Sequence, residues 1–344
     1  MPIRSLILAM MLPMSAIAAS AAATSDQTSG DMPSRTALVI HGGAGTMSRK
    51  DLTPEREHAI RAAMDQALDA GNAVLQSGGS ARDAVTAVIV ILEDSPYFNA
   101  GKGAVFNHEG VNEMDASIMD GATLEAGAVA GVHTVKNPIL LARAVMEHSK
   151  HVMLIGDGAE AFGKTVKGIE FVDPKYFYTP ERWKQLQDAK AEESAGATKA
   201  PSAHFGTVGA IALDSHGHLA AATSTGGMTN KKWGRVGDSP IIGAGTYAIA
   251  DCAVSGTGWG EFFIRLNVAS DICARVAYRG DSLAKAADDV VMQRVPALGG
   301  DGGAIAMDAH GNIAMPFNTE GMYRGWINTD GSRGTAIYKD DGVK

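Results

Sequence analysis

Gly206-Thr207-Val208-Gly209-Ala210-Ile211-Ala212-Leu213-Asp214 runs into Ser215-His216-Gly217-His218-Leu219-Ala220, an apolar run, a turn and a second apolar run. The part from Gly209 recurs almost letter for letter as Gly303-Ala-Ile-Ala-Met-Asp-Ala-His-Gly-Asn-Ile-Ala314. Asp-x-His-Gly supplies turn chemistry, so each copy reads as an antiparallel hairpin, and His216, His218 and His310 read as turn residues rather than ligands. Upstream, residues 37–40 form an apolar strand that enters the glycine-rich stretch His41-Gly42-Gly43-Ala44-Gly45, read as a turn. Thr53-Pro54 and Ser80 then open two helices, the second carrying Ala84, Val85, Val88 and Leu92.

Residues 115–119 and 126–132 look extended, Asn137-Pro138 opens another helix, and residues 151–155 read as a strand. From about Arg182 to His204 the chain turns polar and Ala/Ser/Lys-rich, a helix fraying into a mobile linker. Beyond it, residues 259–278 and 282–295 have helical apolar spacing. Helix pairs alternating with groups of antiparallel strands predict an α+β chain with two stacked sheets and helices outside them. Regular βαβ alternation is missing, which argues against a doubly wound nucleotide-binding fold.

The 344 residues carry 45% hydrophobic side chains and a formal charge of −8, enough for a packed core and without a dense Lys/Arg stripe for phosphate neutralisation. Nucleic acid is therefore not the expected partner, and a small molecule is. The first 23 residues place Arg4 before an apolar run broken by Pro13 and then an Ala-rich junction, which reads as a cleaved signal peptide. The mature protein is expected to be exported to the periplasm, with no membrane association after signal removal. Cys252 and Cys273 are too few for a disulfide scaffold, and two buried thiols are the reading favoured over one bridge.

Thr207 is where chemistry is expected. A threonine hydroxyl is a poor nucleophile, but freed as an N-terminus the residue gains an α-amino group, with an ordinary pKa of about 7.7 to 8.0, as its own base. Gly206 before it leaves the backbone free to bring the hydroxyl onto the preceding carbonyl. Taken alone, Gly206-Thr207 is also what a loop entering a sheet looks like. The balance shifts with Thr223-Ser224-Thr225-Gly226-Gly227 and with Gly234-Arg235-Val236-Gly237-Asp238, where Arg235 offers a fork for carboxylate and Asp238 an acceptor for ammonium. An exposed Arg235–Asp238 ion pair is the plain alternative. Ser255-Gly256-Thr257-Gly258-Trp259-Gly260-Glu261 offers a hydroxyl and backbone N–H groups at the start of a helix, suited to an oxyanion, or serves only as a helix cap. His41 to Thr46 lacks the Lys-Ser/Thr ending of a phosphate loop and reads as a structural loop near the site.

Taken together, HGGAGT (41–46), FNAGKGAVF (98–106), MDGATLEAGAVAGV (119–132), GTVGAIALD (206–214), TSTGGMTNK (223–231), GRVGDSP (234–240) and PFNTEGMYR (316–324) resemble the plant-type L-asparaginase and isoaspartyl peptidase family of N-terminal nucleophile hydrolases. The likeness spans nearly all of the chain after the leader. It implies a four-layer αββα sandwich, self-cleavage between Gly206 and Thr207, an α subunit of residues 24–206 ending in a mobile linker (182–206), and a β subunit of residues 207–344. It further implies Thr207 as nucleophile, Thr225 orienting it, Thr257 and the Gly258 N–H holding the oxyanion, Arg235 and Asp238 gripping the α-carboxylate and α-amino groups, and Asn99 near the nucleophile. It implies no cofactor for catalysis, a structural sodium ion on backbone carbonyls of the 92–102 loop, which opens on Leu92 and ends on Lys102, and a dimer of αβ heterodimers. Lys102 and Trp259 depart from the family's pattern, and Trp259 is expected to pack under the following helix rather than narrow the pocket. Hydrolysis of asparagine and of β-aspartyl dipeptides is the leading expectation. Glycosylasparaginase activity and a non-catalytic exported amino-acid binding protein are the alternatives.

Overall fold

The computed structural model describes residues 35–45, 48–49, 52–196 and 206–341. The signal-peptide expectation and part of the linker fall outside them. The strands are β1 (Ala37–Gly45), β2 (Met114–Asp120), β3 (Ala126–Val132), β4 (Met153–Ile155), β5 (Val208–Leu213), β6 (Leu219–Thr225), β7 (Thr246–Ile249), β8 (Cys252–Gly258), β9 (Gly302–Asp308), β10 (Ile313–Ala314), β11 (Gly321–Ile327) and β12 (Arg333–Ala336). They form an eight-stranded sheet, β12-β11-β1-β5-β6-β2-β3-β4, and a four-stranded sheet, β10-β9-β8-β7. The repeated sequence supplies one hairpin to each: β5–β6 to the large sheet and β9–β10 to the small one.

Side-chain alternation builds the layers. In β5, Ala210 and Ala212 face a core shared with the helices, while Ile211 and Leu213 face the other sheet. In β9, Ile305 and Met307 meet them across the interface, and Ala304 and Ala306 turn outward to a third core. With both faces of each sheet covered, the strands read as continuous apolar runs rather than alternating ones. The outer layer on the large sheet contains α1 (Pro54–Gln76), α2 (Ala81–Asp94) and α3 (Pro138–His148). After α4 (Gly156–Gly163), α5 (Pro180–Ser194) and α6 (Gly260–Leu266), the layer on the small sheet is built from α7 (Val268–Arg279) and α8 (Leu283–Asp288), which continues through a π-helical turn, Asp289–Arg294. The order is helices, sheet, sheet, helices, the expected αββα arrangement.

Four local expectations are corrected. His41 to Gly45 is not a turn: β1 runs through it, absorbing an extra residue in a register shift between His41 and Gly43, as a β-bulge does. The helix expected to fray from about Arg182 holds through Ser194, so residues 182–194 are most of α5 and not part of the linker: Thr179 caps the helix, Pro180 takes its first position, and Arg182 donates from Nε to the Gly103 carbonyl at 2.8 Å. The helical reading of residues 259–278 breaks at Asn267, whose φ of 48° ends α6 and starts α7. Finally, Cys252 and Cys273 are not free thiols: their Cα atoms lie 5.3 Å apart and a disulfide ties β8 to α7.

Candidate active site

Strand register creates the first contact. Val208 pairs with Ser224 across β5 and β6, so the residues just before and after this pair, Thr207 and Thr225, come face to face at the strand ends. The Thr207 hydroxyl donates to Thr225 Oγ1 at 3.2 Å, and both side chains are buried. Thr225 Oγ1 in turn accepts the Gly227 N–H at 3.0 Å and donates to the Gly206 carbonyl at 3.0 Å, which leaves that hydroxyl fully used. Asn99 Nδ2 donates to the same Gly206 carbonyl at 2.8 Å and to the Gly227 carbonyl at 2.7 Å, while its Oδ1 accepts the Val105 N–H. Two donors therefore converge on the carbonyl that precedes Thr207, an arrangement that polarises its carbon and stabilises negative charge on its oxygen.

The bulge in β1 lets the backbone approach this bond. Gly43 has φ +115°, and a Cβ there would sit 2.9 Å from the Gly206 Cα and 3.2 Å from the Thr207 nitrogen. Only glycine combines that dihedral with that proximity.

Thr207, Thr225, Met228, Arg235, Asp238 and Gly258 line a narrow cleft. Asp238 is buried, its Oδ2 lacks a hydrogen-bond partner, and burial pushes its carboxyl up to about 6 against the opposing pull of Arg235. An ammonium group would satisfy that oxygen and reverse the shift. Arg235 does not pair with Asp238 as a surface ion pair; its Nε and Nη2 grip Glu261 in a fork at 2.9 and 2.8 Å. Burial alone would raise the Glu261 carboxyl, but the Arg235 hydrogen bonds and charge, with a Trp259 hydrogen bond, hold it below the usual range. Side chains at Gly245 or Gly260 would intrude on this group, with a Cβ 2.8 Å from Asp238 Oδ2 or 2.7 Å from Arg235 Nη2.

Gly258 lines the cleft at the end of β8, with Thr257 before it in the strand, and α6 begins two residues later at Gly260 and spans seven residues. Thr257 Oγ1 accepts the Ala44 N–H at 3.1 Å, leaving its own hydrogen to donate. Trp259 packs edge-on against Phe262 at 5.1 Å between ring centroids, in agreement with the packing expectation, and also braces Glu261. Lys102 turns its ammonium over the Tyr176 ring, 5.4 Å from the centroid.

Beyond Met228 and Arg235 the site opens to a larger space of about 460 Å³, exposed to solvent and walled by Glu193, Lys232, Trp233 and Glu261. Residues 92–102 run from the last turn of α2 into a tight turn at Gly101–Gly103, where backbone carbonyls pack against two glycines. A Cβ on Gly103 would lie 2.1 Å from the Phe98 oxygen and 2.8 Å from that of Pro96, and one on Gly101 2.3 Å from that of Glu93. Backbone oxygens gathered around two glycines fit a hard cation. Among the described residues no group of three or more His, Cys, Asp or Glu side chains is placed to hold a metal.

Sequence reasoning named Thr207, Thr225, Asn99, Arg235, Asp238, Thr257 and Gly258; the fold gathers all but Thr257 around Gly206-Thr207, and Thr257 sits next to Gly258 in β8 with its hydroxyl on the Ala44 N–H. It did not name His41, whose Nδ1 lies 3.0 Å from the Thr207 carbonyl, or Glu261 as the partner of Arg235. The signal for Glu261 was its place within the Ser255–Glu261 motif, and for His41 its place at the head of HGGAGT.

The sequence model of a family described as asparaginase matches residues 34–337. The chain is 51% identical to the isoaspartyl peptidase of Escherichia coli strain K12 over 311 residues, covering 89% of this chain and 97% of that one. It is 41% identical to a probable isoaspartyl peptidase/L-asparaginase 2 of Arabidopsis thaliana over 326 residues, 88% and 99% of the two chains. Against the isoaspartyl peptidase/L-asparaginase of Homo sapiens it is 44% identical over 268 residues, 76% and 84% of the two.

Proposed function

The chain belongs to the asparaginase family, and from that premise we propose that it is a self-cleaving amidohydrolase releasing aspartate from L-asparagine and from β-aspartyl dipeptides. The observation that carries the reading is the Gly206 carbonyl, which receives Asn99 and Thr225 while the Thr207 hydroxyl rests on Thr225. In the precursor, Thr207 Oγ attacks that carbonyl carbon, the acyl group moves from nitrogen to oxygen, and water opens the ester. A carboxylate is left on Gly206 and a free amine on Thr207.

The freed α-amine then serves as base. It takes the hydroxyl proton as Thr207 Oγ attacks the substrate's side-chain carbonyl, and Thr257 with the Gly258 N–H holds the resulting oxyanion. Collapse expels ammonia or an amino acid, which leaves with the proton, and water frees aspartate from the acyl-enzyme. Asp238 receives the α-ammonium, which its unpaired buried oxygen suits, and Arg235 receives the α-carboxylate while anchored by Glu261. The amino acid leaving group of a dipeptide fits the open space beside Trp233.

The carbonyls of Glu93, Pro96 and Phe98 would hold a sodium ion, whose contribution would be to fix the loop that presents Asn99. The same reading includes a leader of residues 1–23, export to the periplasm and assembly as a dimer of αβ heterodimers. The Cys252–Cys273 bridge favours an oxidising compartment. Side-by-side turnover of asparagine, β-aspartyl-leucine and N-acetylglucosaminyl-asparagine tests the substrate class. The first two should be hydrolysed and the third left intact; the reverse order would move the activity to glycosylasparagine.

A further inference from the structure

A continuous line of buried polar side chains runs between the two sheets, away from the reacting atoms. The His41 ring nitrogens lie 3.0 Å from the Thr207 carbonyl and 3.0 Å from Ser255 Oγ. Ser255 Oγ lies 2.7 Å from Thr223 Oγ1, Thr246 Oγ1 donates to Thr223 at 2.5 Å, and Ser117 Oγ reaches Thr246 at 2.8 Å and the Ser239 carbonyl at 2.6 Å. All five side chains beyond Thr207 are inaccessible to solvent. The line starts at the nucleophile's own residue and ends next to Asp238.

Its hydrogen inventory has a direction. A carbonyl only accepts, so the Nδ1 that faces Thr207 carries the proton. Burial draws the His41 ring down to about 3, so near neutral pH the ring is uncharged and Nε2 is bare. Ser255 must then donate to Nε2, Thr223 to Ser255 and Thr246 to Thr223, while Ser117 shares its one hydrogen between Thr246 and the Ser239 carbonyl. Ser255, Thr223 and Thr246 thus give their hydrogens toward His41, in keeping with the Nδ1–H tautomer. Gly209 makes the junction possible, since a Cβ there would lie 2.1 Å from both His41 Nε2 and Ser255 Oγ.

We propose that His41 is a positioning residue for the nucleophile, a neutral imidazole locked by Ser255 as the Nδ1–H tautomer and holding the Thr207 backbone by its carbonyl. The proposal rests on the reading that Thr207 becomes a chain terminus. A free terminal residue frays unless it is held. The backbone ladder between β1 and β5 ends at the His41–Gly209 pair, where β1 enters its bulge, and beyond that pair the His41 side chain reaches the Thr207 carbonyl. Thr225 holds the hydroxyl end of the residue and His41 holds the carbonyl end. Through the hydroxyl line, the same ring is tied to the strands that carry the head-group pocket.

Paired substitutions separate the two ring contacts. Asparagine at 41 places an amide N–H near the Nδ1 position and keeps the Thr207 contact, whereas glutamine reaches the Nε2 position and keeps only Ser255. In cleaved protein assayed with asparagine, His41→Asn should retain kcat within about threefold. His41→Gln should lose about 10- to 100-fold in kcat with KM changed by less than about twofold, since a misplaced nucleophile slows chemistry without weakening head-group binding. Self-cleavage rates should follow the same order, so a variant that stays uncut is ranked by that rate. Nitrogen-15 NMR of the wild-type protein at neutral pH should show His41 protonated at Nδ1 and bare at Nε2, and Ser255→Ala should lose that pure tautomer. Equal losses in the Asn and Gln variants, or a proton on Nε2, overturn the positioning role while wild-type cleavage and turnover leave the proposed function standing. A wild-type protein that neither cuts before Thr207 nor hydrolyses asparagine removes both.

Discussion

Asp238 holds a carboxyl that burial raises to about 6, with one oxygen that no protein group satisfies. Binding an ammonium requires the charged form, so below the limb set by the Thr207 amine kcat/KM for asparagine should fall more steeply as pH drops through about 6. Asp238→Asn should remove that added steepness along with most activity, and a wild-type profile that does not steepen down to about pH 4.5 would contradict the role. Arg235→Lys keeps the charge but not the fork that Glu261 and a carboxylate share, and should lower kcat/KM by about 10- to 100-fold. Glu93 gives a stability test. Its carboxyl is pushed by burial from an ordinary 4.5 to about 8, so between these values the unfolded chain binds fewer protons than the folded one. Stability therefore falls as pH rises through this window, and Glu93→Gln should remove the decline, which melting curves at pH 6 and pH 9, on either side of about 8, will register. At this scale Thr207, Arg235 and Asp238 were legible as candidate chemistry, and their roles came from the run of family motifs around them rather than from residue type alone. His41 and Ser255 were not, since a lone histidine and serine signify nothing until strand register brings them within 3.0 Å.

Elements were legible where local rules act alone. The caps at Thr53 and Ser80, the Asn137-Pro138 helix start and both Asp-x-His-Gly hairpins came directly from turn and capping chemistry. They were misread where the neighbour decides. Glycines 42, 43 and 45 spell a turn, yet β11 pairs with Gly43 to Gly45 while β5 pairs with the strand up to His41, and the segment stays in the sheet as a bulge. The cysteine pair was likewise undecidable along the chain, because only the packing of α7 on β8 sets its 5.3 Å Cα separation. That bridge closes a loop of 21 residues and should contribute about 2 to 4 kcal/mol. Dithiothreitol should lower the melting temperature of the wild type and leave that of a Cys252→Ala/Cys273→Ala variant unmoved; equal responses would mean that the thiols are not bridged.

For the whole molecule, the decisive fact is how a cut before Thr207 divides the large sheet. Its order, β12-β11-β1-β5-β6-β2-β3-β4, alternates between segments after and before the cut: β12 and β11, then β1, then β5 and β6, then β2 to β4. Neither fragment can leave without breaking ladders on both sides of β1 and between β6 and β2. Cleaved protein should therefore migrate as one species on native size exclusion and as two on a denaturing gel. The four-layer class was legible because helix pairs and strand groups alternate along the chain, but this interleaving was not, since sheet order is set by pairings between residues as far apart as Leu38 and Ile327. In the proposed function both the interleaving and the site geometry bear on one event, release of the Thr207 amine. N-terminal sequencing of the smaller fragment measures it most directly. It should read Thr-Val-Gly-Ala-Ile in the wild type, while Thr207→Ala remains a single inactive chain; cleavage at any other bond, or full activity in uncut Thr207→Ala, would contradict the account.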